Sequence, residues 1–286
     1  MRRLDQTTLR LVKMALQEDI GPGDVTSLLT VLPETCSRAQ VRARSPLVLS
    51  GLAVFQEVFF QVDPEVRVEF LALEGEMLQA GQPACELSGR AQSLLTGERT
   101  GLNFLMRLSG VATWTRKMVE AMGPDPGPVL MDTRKTTPGF RALERAAVIH
   151  GGGCSHRFGL FDGILIKDNH IQAGGGLEAV LARARQSAPH GMKIEVEVEN
   201  LVQVEAALKA GADILLLDNM SPAMLRAAVI FTEKFFEPRK RPVLLEASGG
   251  INLSSIGQTA QSGVDFISAG ALTHSAPAAD LGLDWL

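Results

Sequence analysis

Arg134, Lys135, Arg157 and Lys167 fall within residues 131–171, with His156 and His170 beside them. They sit in MDTRKTTPG, GGGCSHR and LIKDNH, next to apolar runs and glycines where main chain can approach a ligand closely. A solvated charge run would spread along a helix face and mix in acids. This arrangement instead describes a pocket for a molecule with several negative charges. Arginine's planar fork suits a carboxylate or phosphate, and lysine acts as a mobile point charge. An isolated Arg-Lys pair is often a structural ion pair at a helix start. Its repetition at His156 and Arg157 favours binding. Lys167 ends an apolar run, and three uses are open to it: a Schiff base, a phosphate partner, or a side chain reaching for solvent.

Acids and glycines complete the set. Glu195, Glu197 and Glu199 alternate with valines, so on a strand their carboxylates share one face. In an antiparallel strand that face would be solvated. In a barrel strand it turns inward, where a buried carboxylate needs a metal or hydroxyl partner. Asp218 ends the next apolar run, and two carboxylates on neighbouring strand ends suit Mg²⁺ or the vicinal hydroxyls of a ribose. Ser248, Gly249, Gly250 and Gly270 follow the last two apolar runs, where exposed amides make a phosphate cradle. Arg99, beside Glu98 in a helical stretch, carries no local mark of function and reads as an intrahelical ion partner.

The elements that must position these residues follow from periodicity. Leu9, Val12 and Leu16 predict a helix over 7–19, ended by the turn at Gly21 to Asp24. Alternation at 41–44 and 66–72, a helix at 52–62 and a short strand near 84–88 describe a small α+β domain. Residues 91–122 are helical in pattern, with Ser109 and Gly110 as a break between two helices, and 123–128 form a loop. Apolar runs at 129–131, 163–166, 193–198, 214–217, 243–247 and 265–268 then alternate with helical segments such as 177–187, 201–210 and 223–236. That rhythm predicts a parallel sheet buried on both faces. Nearly every run ends in a polar or glycine cluster (MDTRK, LIKDN, EVEVEN, LLLDN, LEASGG, ISAG), as a barrel site assembled from many strand ends requires. An open sheet would gather its site at one switch point.

Composition bounds the function. With 45% hydrophobic and 21% charged residues in 286, the chain is long enough for one large folded domain or two ordinary ones. A net charge of −4 argues against a general nucleic-acid binder. No apolar run approaches the roughly 20 residues that span a bilayer, so no membrane partner is expected. The start, with Arg2 and Arg3 but no apolar core, reads as a helix rather than a signal peptide. The three cysteines lie far apart outside any CxxC pair, which fits a reducing cytoplasm and argues against a cysteine-held zinc.

Taken together, GERTGLNFLMRLSGVAT, DTRKTTPG, GGGCSHR, LIKDNH, EVEVEN, GADILLLDNM, LEASGGI and GVDFISAGALTHSAP resemble the quinolinate phosphoribosyltransferase family. The resemblance runs in order through residues 18–277. It implies an N-terminal open-faced α+β sandwich domain followed by an incomplete, seven-stranded α/β barrel. The implied division is 1–110 for dimerisation and part of the neighbour's site, 111–275 for the catalytic barrel, and 276–286 as a tail packing on the first domain. The runs above leave the seventh strand unplaced.

The implied reaction joins quinolinate to 5-phosphoribosyl-1-pyrophosphate with Mg²⁺, giving nicotinate mononucleotide, pyrophosphate and CO₂ for NAD synthesis. By the same resemblance, Thr133, Arg134, His156 and Arg157 bind quinolinate, with Arg99 contributed by the neighbour in a homodimer or higher homo-oligomer. Lys135 and Lys167 face the pyrophosphate. Glu197 and Asp218 hold ribose and metal, and Ser248, Gly249, Gly250 and Gly270 hold the 5′-phosphate. The alternatives are a related phosphoribosyltransferase acting on another carboxylated ring, a Schiff-base lyase at Lys167, and a non-catalytic nucleotide binder.

Overall fold

A computed structural model describes residues 4–124, 126–238 and 242–286. Arg2, Arg3 and Asp125 lie outside the described residues. Asp5 starts helix α1 (Gln6–Ile20), its carboxylate accepting the amides of Thr7 and Thr8 at 2.8 and 2.9 Å. The helix buries Thr8, Val12 and Leu16 and ends at Gly21, whose φ of 53° excludes most other residues. Asp24 caps the short α2 (Val25–Thr30). Strands β1 (Cys36–Ala43) and β2 (Leu47–Val48) lead to α3 (Leu52–Val62). Its cap residue, Gly51, has no side chain to offer. Glu74 supplies the cap from across the fold, accepting the amides of Gly51 and Leu52 at 2.9 Å each. Strands β3 (Arg67–Phe70), β4 (Met77–Leu78) and β5 (Pro83–Arg90) follow.

The chain then enters α4 (Ala91–Ala121), a single helix of 31 residues. The break expected at Ser109 and Gly110 does not occur. Ser109 Oγ donates to Ser50 O at 3.1 Å and accepts the Ser50 amide at 3.0 Å. At Gly110 the main chain of residues 277–279 lies so close that a Cβ would meet Ala278 Cα at 3.0 Å and run into Pro277 O. Both residues therefore mark close approach rather than a turn.

Beyond it lie β6 (Val129–Met131), α5 (Arg141–His150), β7 (Ile164–Ile166), α6 (Asp168–Ala173), α7 (Leu177–Ser187) and β8 (Ile194–Val198). The last run is α8 (Leu201–Lys209), β9 (Ile214–Asp218), α9 (Pro222–Phe236), β10 (Leu244–Ser248), α10 (Ile256–Ala260), β11 (Phe266–Ser268), α11 (Ala271–His274) and β12 (Leu281–Trp285).

Two compact units emerge, neither continuous in sequence. The first takes the described residues of Met1–Arg116 with Thr136–Gly152 and Leu272–Leu286. Its antiparallel sheet runs β12-β1-β5-β3, and Val41, Leu87, Phe55, Phe59, Leu94 and Leu105 form its core. A buried ion pair ties its distant segments together. Arg107 donates to the fully buried Glu144 at 3.1 and 2.7 Å, and also to the carbonyls of Thr273 and Ala276. Glu144 in turn accepts the amide and hydroxyl of Thr137, two residues after Lys135.

The second unit, Lys117–Lys135 with Gly153–Ala271, holds a parallel sheet in the order β6-β11-β10-β9-β8-β7. The seventh strand is vestigial. Cys154 makes a single parallel bridge with Met131, its amide donating to Leu130 O and its carbonyl accepting from Asp132. One bridge in a glycine-rich segment carries no apolar run, so periodicity has nothing to register.

Replacing Gly110 with alanine tests the close approach. Helix propensity alone favours alanine by about 1 kcal/mol. Overpacking against residues 277–279 should reverse that and lower stability by about 2 kcal/mol, read from the denaturant midpoint. A midpoint equal to or above the parent's would refute it.

Candidate active site

Register decides which side chains of the parallel sheet meet. Leu165 stands opposite Glu195, Glu195 opposite Ile214, and Ile214 opposite Leu244. Glu246 stands opposite both Leu216 and Phe266. Because side chains alternate, one face carries Glu195, Glu197, Ile214, Asp218, Leu244, Glu246, Ser248, Phe266 and Ser268. Polarity on that face is graded. By register Glu195 shares the level of Ile214 and Leu244 near the strand starts, Glu246 that of Leu216 and Glu197, and Asp218 and Ser248 come at the C-terminal ends. A cavity of about 640 Å³ opens on this face, lined in part by His156, Arg157, Glu195, Glu246, Ile214 and Phe266.

Glu195 and Glu246 are buried, and between them they hold His156, whose Nε2 lies 3.3 and 3.4 Å from their carboxylates. Burial alone would lower the imidazole pKa. Hydrogen bonds to Glu195 and Glu246, reinforced by their charge, push it up to about 10 instead. Burial likewise raises the carboxyl of Glu195, which also feels Glu246. The Arg157 amide points at His156 Nδ1 at 2.7 Å and uses its lone pair, so in this geometry the ring proton is on Nε2. An imidazolium with two carboxylates, or a neutral ring with one carboxyl still protonated, carries the same net charge. The Arg157 amide selects the second arrangement, so the raised titration belongs to His156, Glu195 and Glu246 together rather than to the ring alone. His156, Glu195 and Glu246 also offer ligand atoms within 4.8 Å of one another, a donor set that could hold a cation.

Toward the strand ends, Lys167 pairs directly with Glu197. The pair uses lysine as ammonium, the form without a lone pair for carbonyl attack. His170 is exposed, and its Nδ1 accepts the Lys167 amide at 3.0 Å and closes a capping box on α6. Asp218 accepts from Asn219, and the Asn219 amide donates to Ser248 O at 2.9 Å. Ser268 Oγ donates to Ser248 Oγ at 3.0 Å. Gly249 and Gly250 take φ values of 93° and 62°, and at Gly249 a Cβ would meet Asn219 Cγ at 2.6 Å. Glycine is required there. Gly270 directly precedes α11.

Arg134 and Lys135 follow β6 and are exposed, and the Thr133 hydroxyl accepts the Lys135 amide at 3.0 Å. Arg157 donates to Gly163 O at 3.1 Å. Its pKa is lowered first by burial and then by the positive charge of Arg134, so the two guanidiniums are within electrostatic reach of each other. Thus Arg134 is brought to Arg157, His156 to Glu195, and Lys167 to Glu197. Glu199 is exposed beyond the end of β8, apart from the buried acid face. Arg99 is exposed on α4 in the other compact unit. Glu246 and the depth of Glu195 escaped the sequence reading. The available signal was an acid inside each of two otherwise apolar strands, Glu246 in LLEAS and Glu195 in IEVEV.

With this geometry in view, the chain matches two family models: quinolinate phosphoribosyl transferase, N-terminal domain, over residues 24–109, and C-terminal domain, over residues 111–284. It is 42% identical over 275 residues to a probable nicotinate-nucleotide pyrophosphorylase [carboxylating] of Bacillus subtilis, covering 96% of this chain and 92% of that one. A nicotinate-nucleotide pyrophosphorylase [carboxylating] of Mycobacterium leprae is 41% identical over 278 residues, covering 96% of this chain and 95% of that one. The solved nicotinate-nucleotide pyrophosphorylase of Francisella tularensis superposes with a TM-score of 0.91 at 38% identity, covering 100% of this chain and 98% of that one.

The Lys167–Glu197 pair has a direct chemical test. Borohydride in the presence of a carbonyl compound should leave Lys167 unlabelled in peptide mass mapping. A stable reduced adduct at that lysine would overturn the ion-pair role.

Proposed function

The chain belongs to the quinolinate phosphoribosyl transferase family, and from that membership we propose that it joins quinolinate to 5-phosphoribosyl-1-pyrophosphate. The products are nicotinate mononucleotide, pyrophosphate and CO₂, in NAD biosynthesis. The observation that carries this reading is the approach of Arg134 to Arg157. Burial and the positive charge of Arg134 lower the Arg157 pKa, and a guanidinium so placed gains most from a ligand with negative charge, of which the quinolinate dianion carries two.

The roles follow from chemistry. Arg134 and Arg157 bind the carboxylates, with Thr133 and His156 in the same pocket and Arg99 supplied by the neighbour in a cytoplasmic homodimer or higher homo-oligomer. Lys135 and Lys167 stabilise the departing pyrophosphate as positive charge develops on the ribose. Ser248, Gly249, Gly250 and Gly270 offer amides and a hydroxyl to the 5′-phosphate. Glu197 and Asp218 are oxygen donors on neighbouring strands and fit a hard cation, two carboxylates being few enough that Mg²⁺ would share water and substrate oxygens. Mg²⁺ would neutralise the leaving group. The ring nitrogen bonds to ribose C1 as pyrophosphate departs. The cationic ring then takes up the electron pair released when CO₂ leaves C2, and a proton fills that carbon. The protein acts by position and charge, with no covalent nucleophile.

Protein incubated with quinolinate, the phosphoribosyl donor and Mg²⁺ should evolve CO₂ and form nicotinate mononucleotide. No product from folded protein would sink the proposal. Arg134→Ala or Arg157→Ala should weaken quinolinate binding by about tenfold or more, the worth of a charged hydrogen bond, while donor affinity moves far less. Calorimetric titration separates the two, and equal losses would refute the assignment. For the shared site, mixing Arg99→Ala subunits with Lys135→Ala subunits should restore part of the activity. Verified mixed oligomers that stay inactive would count against it.

A further inference from the structure

We infer that Glu195 and Glu246 are positioning residues: through the His156 ring they set where the Arg157 main chain, and with it the guanidinium, stands in the quinolinate pocket. The inference rests on the proposed function above.

Both carboxylates are deep in the wall of the parallel sheet, at 6% and 1% exposure, and each keeps one oxygen, Oε1, buried without a hydrogen-bond partner. Apolar residues would fill such positions at lower cost, so a pair of acids there answers to something other than stability. The group both acids reach is His156 Nε2. The other ring nitrogen accepts the Arg157 amide at 2.7 Å, and the His156 amide is itself held by Asp132 Oδ1 at 2.8 Å. With Nε2 pinned to the sheet and Nδ1 pinned to the next residue, the ring is a strut between the barrel wall and the Arg157 backbone. The guanidinium is steadied at its far end by Gly163 O at 3.1 Å. The acids thus act on the carboxylate-binding end of the site. Ribose and phosphate fall to Glu197, Asp218 and Ser248 instead.

The test compares the substrates. Glu246→Gln and Glu195→Gln preserve volume and should raise the KM for quinolinate about tenfold, with the donor KM within about twofold. In an Arg157→Ala background, adding Glu246→Gln should cost almost nothing further, because both changes remove one function. Glu246→Asp keeps the charge but shortens the reach, and should show the same selectivity if a glutamine variant fails to fold. Equal rises for both substrates, or additive losses in the double variant, would overturn the inference. So would a purified protein carrying one chelator-removable zinc or manganese per chain at His156, since Nε2 would then serve a metal. Absence of quinolinate turnover in the unmodified protein overturns the parent proposal and this inference together. Normal turnover there, with unselective variants, overturns this inference alone.

Discussion

Two carboxylates buried in the wall of a parallel sheet must be answered by a proton or a cation, and Glu195 and Glu246 share one answer in His156. That constraint organises the face around it. Parallel pairing puts every second residue of each strand on the same side, so acids placed in phase on β8 and β10 project to one side of the sheet. Once His156 is drawn to them, Arg157 follows by one residue and comes within reach of Arg134. The next residue in phase on β8, Glu197, meets Lys167.

The first compact unit uses the same physics for a structural end. Arg107 and Glu144 are separated in sequence, yet their ion pair gathers α4, α5, Thr137 and the carbonyls of Thr273 and Ala276. Removing one partner of such a pair leaves an uncompensated buried charge, at a cost of about 3–5 kcal/mol. Glu74 performs a smaller version of the task by capping α3 from outside its own sequence neighbourhood.

Much of this was legible before any coordinates. Strand positions followed from apolar runs, because a strand buried on both faces tolerates few polar residues. Lys167, Glu197, Asp218, Ser248, Gly249 and Gly250 stood out because polar and glycine residues at the ends of such runs serve no packing purpose. Three things did not follow. Ser109 and Gly110 have the composition of a break, but their purpose is contact with chain far away in sequence. The strand at Cys154 is one bridge long and has no period. Glu246 lies inside a strand, where no local pattern separates a wall position from a site position.

The sequence by itself determined the alternation of strands and helices after residue 129, the family, and the residue types able to hold a polyanion, since these depend on local period and on chemistry carried by single side chains. Tertiary structure alone decided which of those side chains answer one another. Whether Glu195 meets a metal, a ribose or a histidine depends on register between strands and on the path of the chain between β6 and β7. Neither is encoded in a local pattern, because both are settled by pairing partners distant in sequence.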